Sequence, residues 1–157
     1  MQYRTLGSTG LKVSVIGLGT WQFGGEWGRA FSQTEADAIL DQAATSGINL
    51  LDTAECYGDH LSETLIGNYL KRHDRSRWIV ATKFGHHFRG FVDRTEDFSP
   101  ANVLKQLEAS QQALKLDTID LYQFHSGDDA ACLNEELWNM LAEQKRAGKI
   151  RGLEKLD

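Results

Sequence analysis

The stretch Ile48-Asn49-Leu50-Leu51-Asp52-Thr53-Ala54-Glu55-Cys56-Tyr57-Gly58 places a short apolar run directly before a carboxylate and a phenol. The run predicts a buried strand over residues 49–53, so Asp52 and Tyr57 are expected near its carboxyl end, where α/β proteins hold their functional groups. Two later apolar runs end in the same manner, one at Lys83 and the other at His125. An acid, a phenol, an amine and an imidazole therefore occupy equivalent positions on successive predicted strands.

The composition is that of a folded chain with a core of its own, and we expect residues 1–157 to form a single unit. Of its 157 residues 41% are hydrophobic and 25% are charged, with one proline. The net charge of -5 argues against nucleic acid and against an anionic membrane surface as partners. Because the sequence has no apolar segment of signal-peptide or membrane-spanning length, we expect a cytoplasmic protein.

The cysteines and histidines predict no metal site. Cys56 and Cys132 are too few for a disulfide framework, and no Cys/His grouping has the spacing of a zinc site. Cys56 is expected to be a small buried residue, with an oxidation-sensitive thiol as the alternative. The adjacent His86 and His87 are expected to face solvent, with contact to a substrate or a metal as the alternative.

The order of local signals along the chain predicts a hairpin followed by repeated strand–helix units. Residues 1–14 predict a β-hairpin, because two short alternating runs flank Gly7-Ser8-Thr9-Gly10. Residues 15–157 then divide into four strand–helix units and the start of a fifth strand. A capping box formed by Ser32 and Glu35 opens the first helix, and Ser99 with Pro100 opens the third. The first four predicted strands are residues 15–21, 49–53, 78–83 and 119–125, and a long loop is expected over 84–98.

Four such units imply a parallel sheet with right-handed crossovers. In an open doubly wound sheet the functional groups concentrate at one switch point, whereas here each of several strands ends in one, as around the mouth of a barrel. A closed (β/α)8 barrel takes about 250 residues. The sequence therefore predicts an α/β fold with about half of a TIM barrel and an N-terminal hairpin.

The motifs resemble those of the aldo-keto reductases, specifically the N-terminal half of their barrel. Each motif is weak alone, but their order and spacing together are specific. The matching segments are residues 6–14, Gly17-Leu18-Gly19-Thr20-Trp21, residues 47–58, Ser62-Glu63, Ala81-Thr82-Lys83, residues 119–125 and Ala147-Gly148-Lys149-Ile150-Arg151.

The resemblance implies a TIM barrel whose bottom is closed by the hairpin and a catalytic tetrad of Asp52, Tyr57, Lys83 and His125. It also implies NADPH as the cofactor, with NADH as the alternative, and no Rossmann fingerprint. The cofactor-binding residues that it implies are Gly19, Thr20, Trp21 and Asp52. In the barrel model, the residues expected to line the substrate pocket are Trp21, Trp27, Phe84 and His125, and the alternative for the three aromatic residues is the rim of the core.

The chemistry of carbonyl reduction explains why these four residue types would be grouped. Hydride transfer to a carbonyl carbon builds negative charge on the oxygen, so a proton donor is needed within about 3 Å, and Tyr57 is the candidate acid. A cationic Lys83 is expected to lower the pKa of the phenol, while Asp52 orients the lysine. His125 is expected to hold the carbonyl by a hydrogen bond.

Two functions are compatible with the sequence. The first is an NAD(P)H-dependent reductase of small-molecule aldehydes or ketones, and the alternative is a cofactor-binding accessory or structural module of the same family. Half of a barrel leaves two sheet edges open, so we also expect self-association or pairing with a complementary half-barrel.

Overall fold

The protein is described by a computed structural model that covers residues 1–154. Residues 155–157, which the predicted single unit includes, lie outside the described residues. The strands are β1 (Tyr3–Thr5), β2 (Lys12–Ser14), β3 (Leu18–Gly19), β4 (Leu50–Asp52), β5 (Ile79–Phe84), β6 (His86–Gly90), β7 (Asp93–Glu96), β8 (Ile119–Phe124) and β9 (Ile150–Glu154). The helices are α1 (Gln33–Thr45), α2 (Leu61–Leu70), α3 (Pro100–Leu114), α4 (Asp129–Cys132) and α5 (Glu135–Arg146).

The main sheet is parallel and has the strand order β3-β4-β5-β8-β9. A helix or helix pair follows each of the first four strands, and the helices pack on one face of the sheet. The contact layer includes Leu40, Ile66, Leu107 and Leu141, all of them fully buried. Burying one such side chain contributes about 1.5–3 kcal/mol. The predicted fold class, half of a (β/α)8 barrel behind an N-terminal hairpin, is confirmed.

Local capping explains where the helices begin. The Ser32 hydroxyl accepts from the Glu35 N–H while the Glu35 carboxylate accepts from the Ser32 N–H, which completes the predicted capping box. Ser99 and Pro100 stand at the N-cap and first helical positions of α3, as expected, although the Ser99 hydroxyl makes no capping bond. Among the described residues, no helix is both long and apolar enough to cross a bilayer.

The N-terminal hairpin covers the amino ends of the strands. Strands β1 and β2 pair antiparallel, and the Gly7 to Gly10 turn uses glycine at positive φ at both ends. Leu11 and Val13 form a small second core with Ile79, the first residue of β5. The hairpin therefore closes the end of the sheet opposite to the strand ends that carry the polar residues.

Two sequence-based predictions about the strands were wrong. The first strand was predicted over 15–21 but comprises only Leu18–Gly19, because the Ser14 hydroxyl bonds the Ile16 carbonyl and turns the chain outward. Val15 instead extends the hairpin by donating to the Gln2 carbonyl. The predicted loop over 84–98 contains the antiparallel pair β6 and β7.

Candidate active site

The register of the sheet brings the predicted functional residues to one edge. Asp52 ends β4 and pairs with Ala81 of β5, two residues before Lys83. Strands β5 and β8 pair in register up to Phe84 and Phe124, so the residue after β8, His125, lies next to the end of β5. The backbone N–H of His125 donates to the Phe84 carbonyl at 3.2 Å, which holds the main chain of His125 at this edge.

Lys83 is the centre of the polar contacts. Its ammonium donates to an Asp52 carboxylate oxygen, to the Thr53 carbonyl at 2.8 Å and to the Tyr57 hydroxyl at 3.5 Å. Burial acts to lower the pKa of Lys83, but the Asp52 carboxylate and the Tyr57 phenol outweigh it and raise the pKa above its ordinary value. The lysine is therefore a fixed cation that joins the acid to the phenol.

Tyr57 lies in the loop between β4 and α2. This loop is seated against the short 3₁₀ helix Trp21–Gly24, where Gly24 touches the backbone of Tyr57 and Gly58. The Trp21 indole stacks on the Tyr57 ring, with 5.9 Å between centroids and 23° between planes. Tyr57 is thus held from two sides, by an aromatic ring and by close backbone packing.

The pKa of Tyr57 moves in the opposite direction to the sequence-based expectation. Burial raises the pKa of the phenol, and the Lys83 ammonium opposes that rise only in part. The Asp52 carboxylate, which is paired with the same lysine, adds to the rise. The result is a phenol that keeps its proton at neutral pH.

His125 faces Tyr57 across a small cavity. The two rings are perpendicular, with centroids 6.2 Å apart and 85° between planes. The cavity has a volume of about 160 Å³, and its lining comprises Trp21, Cys56, Tyr57, His86, Arg94 and His125. The mouth of this half-barrel therefore combines aromatic walls with polar groups, as small-molecule sites do.

Glu55 is a buried charge that the sequence analysis did not single out. It is 2% exposed, accepts a hydrogen bond from the His86 N–H at 2.8 Å, and has its second oxygen 3.8 Å from Nδ1 of His125. Burial acts to raise the pKa of Glu55, but the contact with His125 and the His86 N–H outweigh it and lower the pKa. In the sequence, only the position of Glu55 between Asp52 and Tyr57 indicates that it belongs to the site.

The structure places the side chains of three of the predicted cofactor and pocket residues away from the cavity. Phe84 is fully buried in the core between sheet and helices, where it packs on Tyr122 and Phe124, so it does not line the cavity. Thr20 is 1% exposed, and its hydroxyl bonds the Asp52 carbonyl, so its side chain does not face the cleft. Trp27 is 56% exposed and packs edge-on against Trp21 without lining the cavity itself.

The remaining predicted residues of this set lie at the cavity or beside it. Trp21 lines the cavity, and its indole N–H donates to Glu26 at 3.2 Å. Gly19 lies at the carboxyl end of β3, level with Asp52, and a Cβ built on it meets no atom within 4 Å. Asp52, Gly19 and Trp21 are thus left on an accessible rim.

The prediction that His86 faces solvent was also wrong. Its ring stacks on His125 with 4.4 Å between centroids, because β6 starts directly after β5 and folds back over the cavity. Burial and the neighbouring His125 lower the pKa of His86. Arg94 of β7 was missed as well, and its ion pair with the buried Glu26 holds this hairpin on the site.

Cys56 is buried, as predicted, and lies on the same cavity wall. Burial raises the pKa of its thiol to about 12, and the neighbouring Glu55 carboxylate contributes to the rise. Ligand atoms of Cys56, His86 and His125 all lie within 4.8 Å of one another. Sequence spacing did not reveal this group, because its members come from three separate strand ends.

Comparison with known proteins decides the family. The model of the aldo/keto reductase family matches residues 15–153. The chain belongs to the aldo/keto reductase family. The resemblance noted in the sequence is therefore confirmed, with the chain as the N-terminal part of the family's fold.

Individual relatives agree with this assignment and define its extent. The aldo-keto reductase YhdN of Bacillus subtilis is 36% identical over 158 residues, which is 98% of this chain and 46% of the relative. L-galactose dehydrogenase of Arabidopsis thaliana is 36% identical, over 96% of this chain and 47% of that protein. The chain thus spans about half the length of the curated relatives that it matches.

Solved structures give the same result. An aldo-keto reductase of Bacillus halodurans in its holo form has a TM-score of 0.85 and 35% identity, over 98% of this chain and 50% of that one. The glycerol dehydrogenase of Gluconobacter oxydans has a TM-score of 0.78 and 36% identity, over 91% and 44%. These values identify the five-stranded sheet as half of an aldo-keto reductase barrel.

Proposed function

We propose that this sequence is part of an NAD(P)H-dependent reductase of aldehydes or ketones, with Tyr57 as the general acid. The observation that carries the proposal is the continuous contact from the Tyr57 hydroxyl through the Lys83 ammonium to Asp52, at a cavity that His125 faces. A phenol, a fixed cation and an imidazole around one small cavity suit a reaction that builds charge on a carbonyl oxygen.

The rim of the cavity fits a nicotinamide nucleotide. Trp21 offers a flat apolar surface, Gly19 leaves open space beside the strand end, and the Asp52 side chain is 44% exposed there. Members of this family typically use NADPH or NADH, and we propose NADPH for this chain with NADH as the alternative. When bound, the nucleotide supplies the hydride that reduces the carbonyl carbon. Thr20 would support the rim from below through its hydrogen bonds to Asp52 and Ser62.

Tyr57 supplies the proton. Its raised pKa keeps the phenol protonated at neutral pH, so the donor form is the resting form. As the carbonyl oxygen becomes an alkoxide it takes the phenolic proton, and the Lys83 ammonium stabilises the phenolate that remains. Such general acid catalysis contributes about 10²–10⁴-fold. The phenolate then regains a proton from solvent.

His125 orients the substrate, and Glu55 orients His125. The His125 and Tyr57 rings pack perpendicular to each other, and both residues line the same cavity. The Glu55 carboxylate on the far side of the imidazole favours a proton on Nδ1, which the 3.8 Å separation allows it to attract. His125 would thereby be positioned for a hydrogen bond to the carbonyl oxygen.

We propose small carbonyl compounds as substrates, in a cytoplasmic setting and without nucleic acid or membrane partners. Two of the relatives are named as dehydrogenases of L-galactose and of glycerol, which are small hydroxylated molecules. The cavity volume of about 160 Å³ suits molecules of this size. Strands β3 and β9 have free edges among the described residues, so we expect a second copy or a complementary half-barrel to pair with them. Sedimentation of the isolated chain as a compact monomer would contradict that pairing.

The test measures NADPH fluorescence on titration, followed by aldehyde-dependent oxidation of the nucleotide. We suggest both the 157-residue chain and a chimaera that joins it to the C-terminal half of a relative's barrel. Tyr57→Phe should lower turnover by about 10²-fold or more with nucleotide affinity nearly unchanged. Tyr3→Phe, which changes an exposed phenol of the hairpin, is the matched control. Normal turnover in Tyr57→Phe would remove Tyr57 as the acid, and binding without any turnover would favour the accessory function.

A further inference from the structure

Three side chains at the cavity have the chemistry and the spacing of a metal site. Cys56 comes from the loop after β4, His86 from the start of β6, and His125 from the end of β8, and their ligand atoms lie within 4.8 Å of one another. Sγ of Cys56 is 3.9 Å from Nδ1 of His125. In a tetrahedral zinc site, bonds of about 2.3 Å to sulfur and about 2.0–2.1 Å to nitrogen place these two ligand atoms roughly 3.6 Å apart.

A second, independent observation concerns unpartnered polar atoms beside the same three residues. One oxygen of the buried Glu55 carboxylate, Oε2, has no hydrogen-bond partner among the described residues, and it lies 3.8 Å from His125 Nδ1. Nε2 of His86 is also buried without a hydrogen bond, and the carboxylate nearest to it is that of Glu96, at 3.8 Å. Leaving a buried carboxylate oxygen unpartnered is costly, and a cation bound next to Nδ1 of His125 would offset the charge of Glu55.

We propose that Cys56, His86 and His125 bind a thiophilic divalent cation such as Zn²⁺, with the Glu55 carboxylate beside it to balance the charge. One thiolate and two imidazoles form a donor set that suits zinc. The Cys56 thiol releases its proton to solvent as the sulfur–metal bond forms, and no oxidant or reductant is involved. The fourth position of the metal faces the cavity and takes a water molecule.

The proposal requires a small rearrangement that the local structure permits. The imidazole rings of His86 and His125 are stacked with 22° between planes, so their lone pairs converge on one ion only if the rings open. The χ2 angle of histidine has a broad distribution, so rotation of the ring about it costs little free energy. The Arg94 guanidinium also contacts the Cys56 sulfur, so it must withdraw from that atom as the metal binds, while its ion pair with Glu26 balances its charge.

Occupation of this site has a consequence that rests on the proposed function. A cation bound at Nδ1 of His125, with the water in its fourth position, would fill part of the cavity into which the carbonyl substrate is proposed to enter. Zn²⁺ would therefore inhibit reduction reversibly and compete with the carbonyl substrate. The binding itself is a property of the folded chain and does not depend on turnover.

Binding is tested first on the 157-residue chain, by calorimetric titration with Zn²⁺ and by the absorption spectrum with Co²⁺ in its place. One ion per chain and a thiolate-to-cobalt charge-transfer band are expected. Cys56→Ser should abolish the band, and Cys56→Ser and His86→Gln should each weaken Zn²⁺ binding by about 10-fold or more. The matched controls Cys132→Ser and His87→Gln change the other cysteine and the adjacent histidine, and should bind as the unaltered chain does.

Three results would contradict the proposed metal site. These are the absence of a cobalt–thiolate band in the unaltered chain, equal weakening by the control variants, and unchanged affinity in His86→Gln. Circular dichroism of each variant verifies its fold, and if Cys56→Ser does not fold, the spectrum of the unaltered chain and His86→Gln still decide. In an active chimaera, inhibition by Zn²⁺ that a chelator reverses supports the regulatory consequence. A chimaera without activity would count against the proposed function and leave the binding result intact.

Discussion

Gly24→Ala is expected to impair the site without changing any functional group. A Cβ added to Gly24 would lie 2.6 Å from the Tyr57 carbonyl carbon and 2.8 Å from the Gly58 nitrogen, whereas ordinary contacts begin at 3.4 Å. Both neighbours are backbone atoms, so no flexible side chain can give way. The Tyr57 loop must therefore move by roughly 0.8 Å, the difference between 3.4 and 2.6 Å.

The displacement gives two expected magnitudes. Overpacking of this kind costs about 1–3 kcal/mol of the free energy of unfolding, which urea titration of the isolated chain measures. A misplacement of about 1 Å at a catalytic group costs about 10²-fold in rate, because near-attack geometry is lost. In an active chimaera, kcat for aldehyde reduction should fall by about that factor. Nucleotide affinity should change much less, since the three atoms nearest to the added Cβ belong to Tyr57 and Gly58 and none to the proposed nucleotide rim.

Gly90→Ala is the matched control, because a Cβ at Gly90 meets no atom within 4 Å and its φ is not positive. It should leave both the unfolding free energy and the turnover close to their original values. If Gly24→Ala showed wild-type stability and turnover, the close packing of the 3₁₀ helix against the Tyr57 loop would not be what positions the phenol.

Two further predictions concern the framework around the site. Gly67→Ala should destabilise the chain by up to about 2 kcal/mol in urea titration. Its Cβ would lie 2.7 Å from the Leu114 carbonyl carbon and force α2 from α3, which costs about 1–3 kcal/mol, whereas the gain in helix propensity is about 1 kcal/mol. Burial acts to lower the pKa of His60, but its hydrogen bond with the buried Glu63 carboxylate outweighs this and raises the pKa. The contribution of this pair to the free energy of unfolding should therefore be complete below the unfolded pKa of about 6.5. It should decline as the pH rises through the folded pKa. His60→Asn, chosen because asparagine tolerates the positive φ of this position, should flatten that decline above about pH 6.5, and an unchanged slope would contradict the assignment.

The strand-end residues could be predicted from the sequence because each stands after its own apolar run. Asp52, Lys83 and His125 need only the alternation and length of those runs to be placed at the carboxyl edge of a parallel sheet. The register of β4, β5 and β8 then brings them together. Tyr57 required the loop after β4 as well, whose motif the resemblance supplied.

Phe84 shows that the pattern of a single apolar run does not determine the residue at which a strand ends. The prediction ended this strand at Lys83, but β5 continues by one residue, and successive side chains of a strand point to opposite faces. Lys83 therefore faces the mouth of the half-barrel, while Phe84 turns into the helix-covered core. Because β5 extends one residue further than predicted, Phe84 lies in the core and not in the pocket.

His86, Arg94 and Glu26 could not be found from local patterns, because their positions depend on contacts between distant segments. The Glu26 carboxylate accepts from the N–H of Val92 at the tip of the β6–β7 hairpin and pairs with Arg94, across 66 and 68 residues of sequence. These bonds fold the hairpin over the cavity, and His86 follows as its first residue. From the sequence alone, a charged residue in a glycine-rich loop, such as Glu26, is expected to face solvent, because its ion-pair partner is not known.

The pKa of Tyr57 depends on which charged groups contact one another as well as on which charged groups are present. From the sequence, a lysine next to a phenol should lower the phenol's pKa. In the structure, the Lys83 ammonium contacts Asp52 as well as Tyr57, so much of its charge is balanced before it acts on the phenol. Burial then dominates and raises the pKa. In the proposed reaction, Lys83 would therefore stabilise the phenolate that forms after proton transfer, and it does not lower the pKa of the resting phenol.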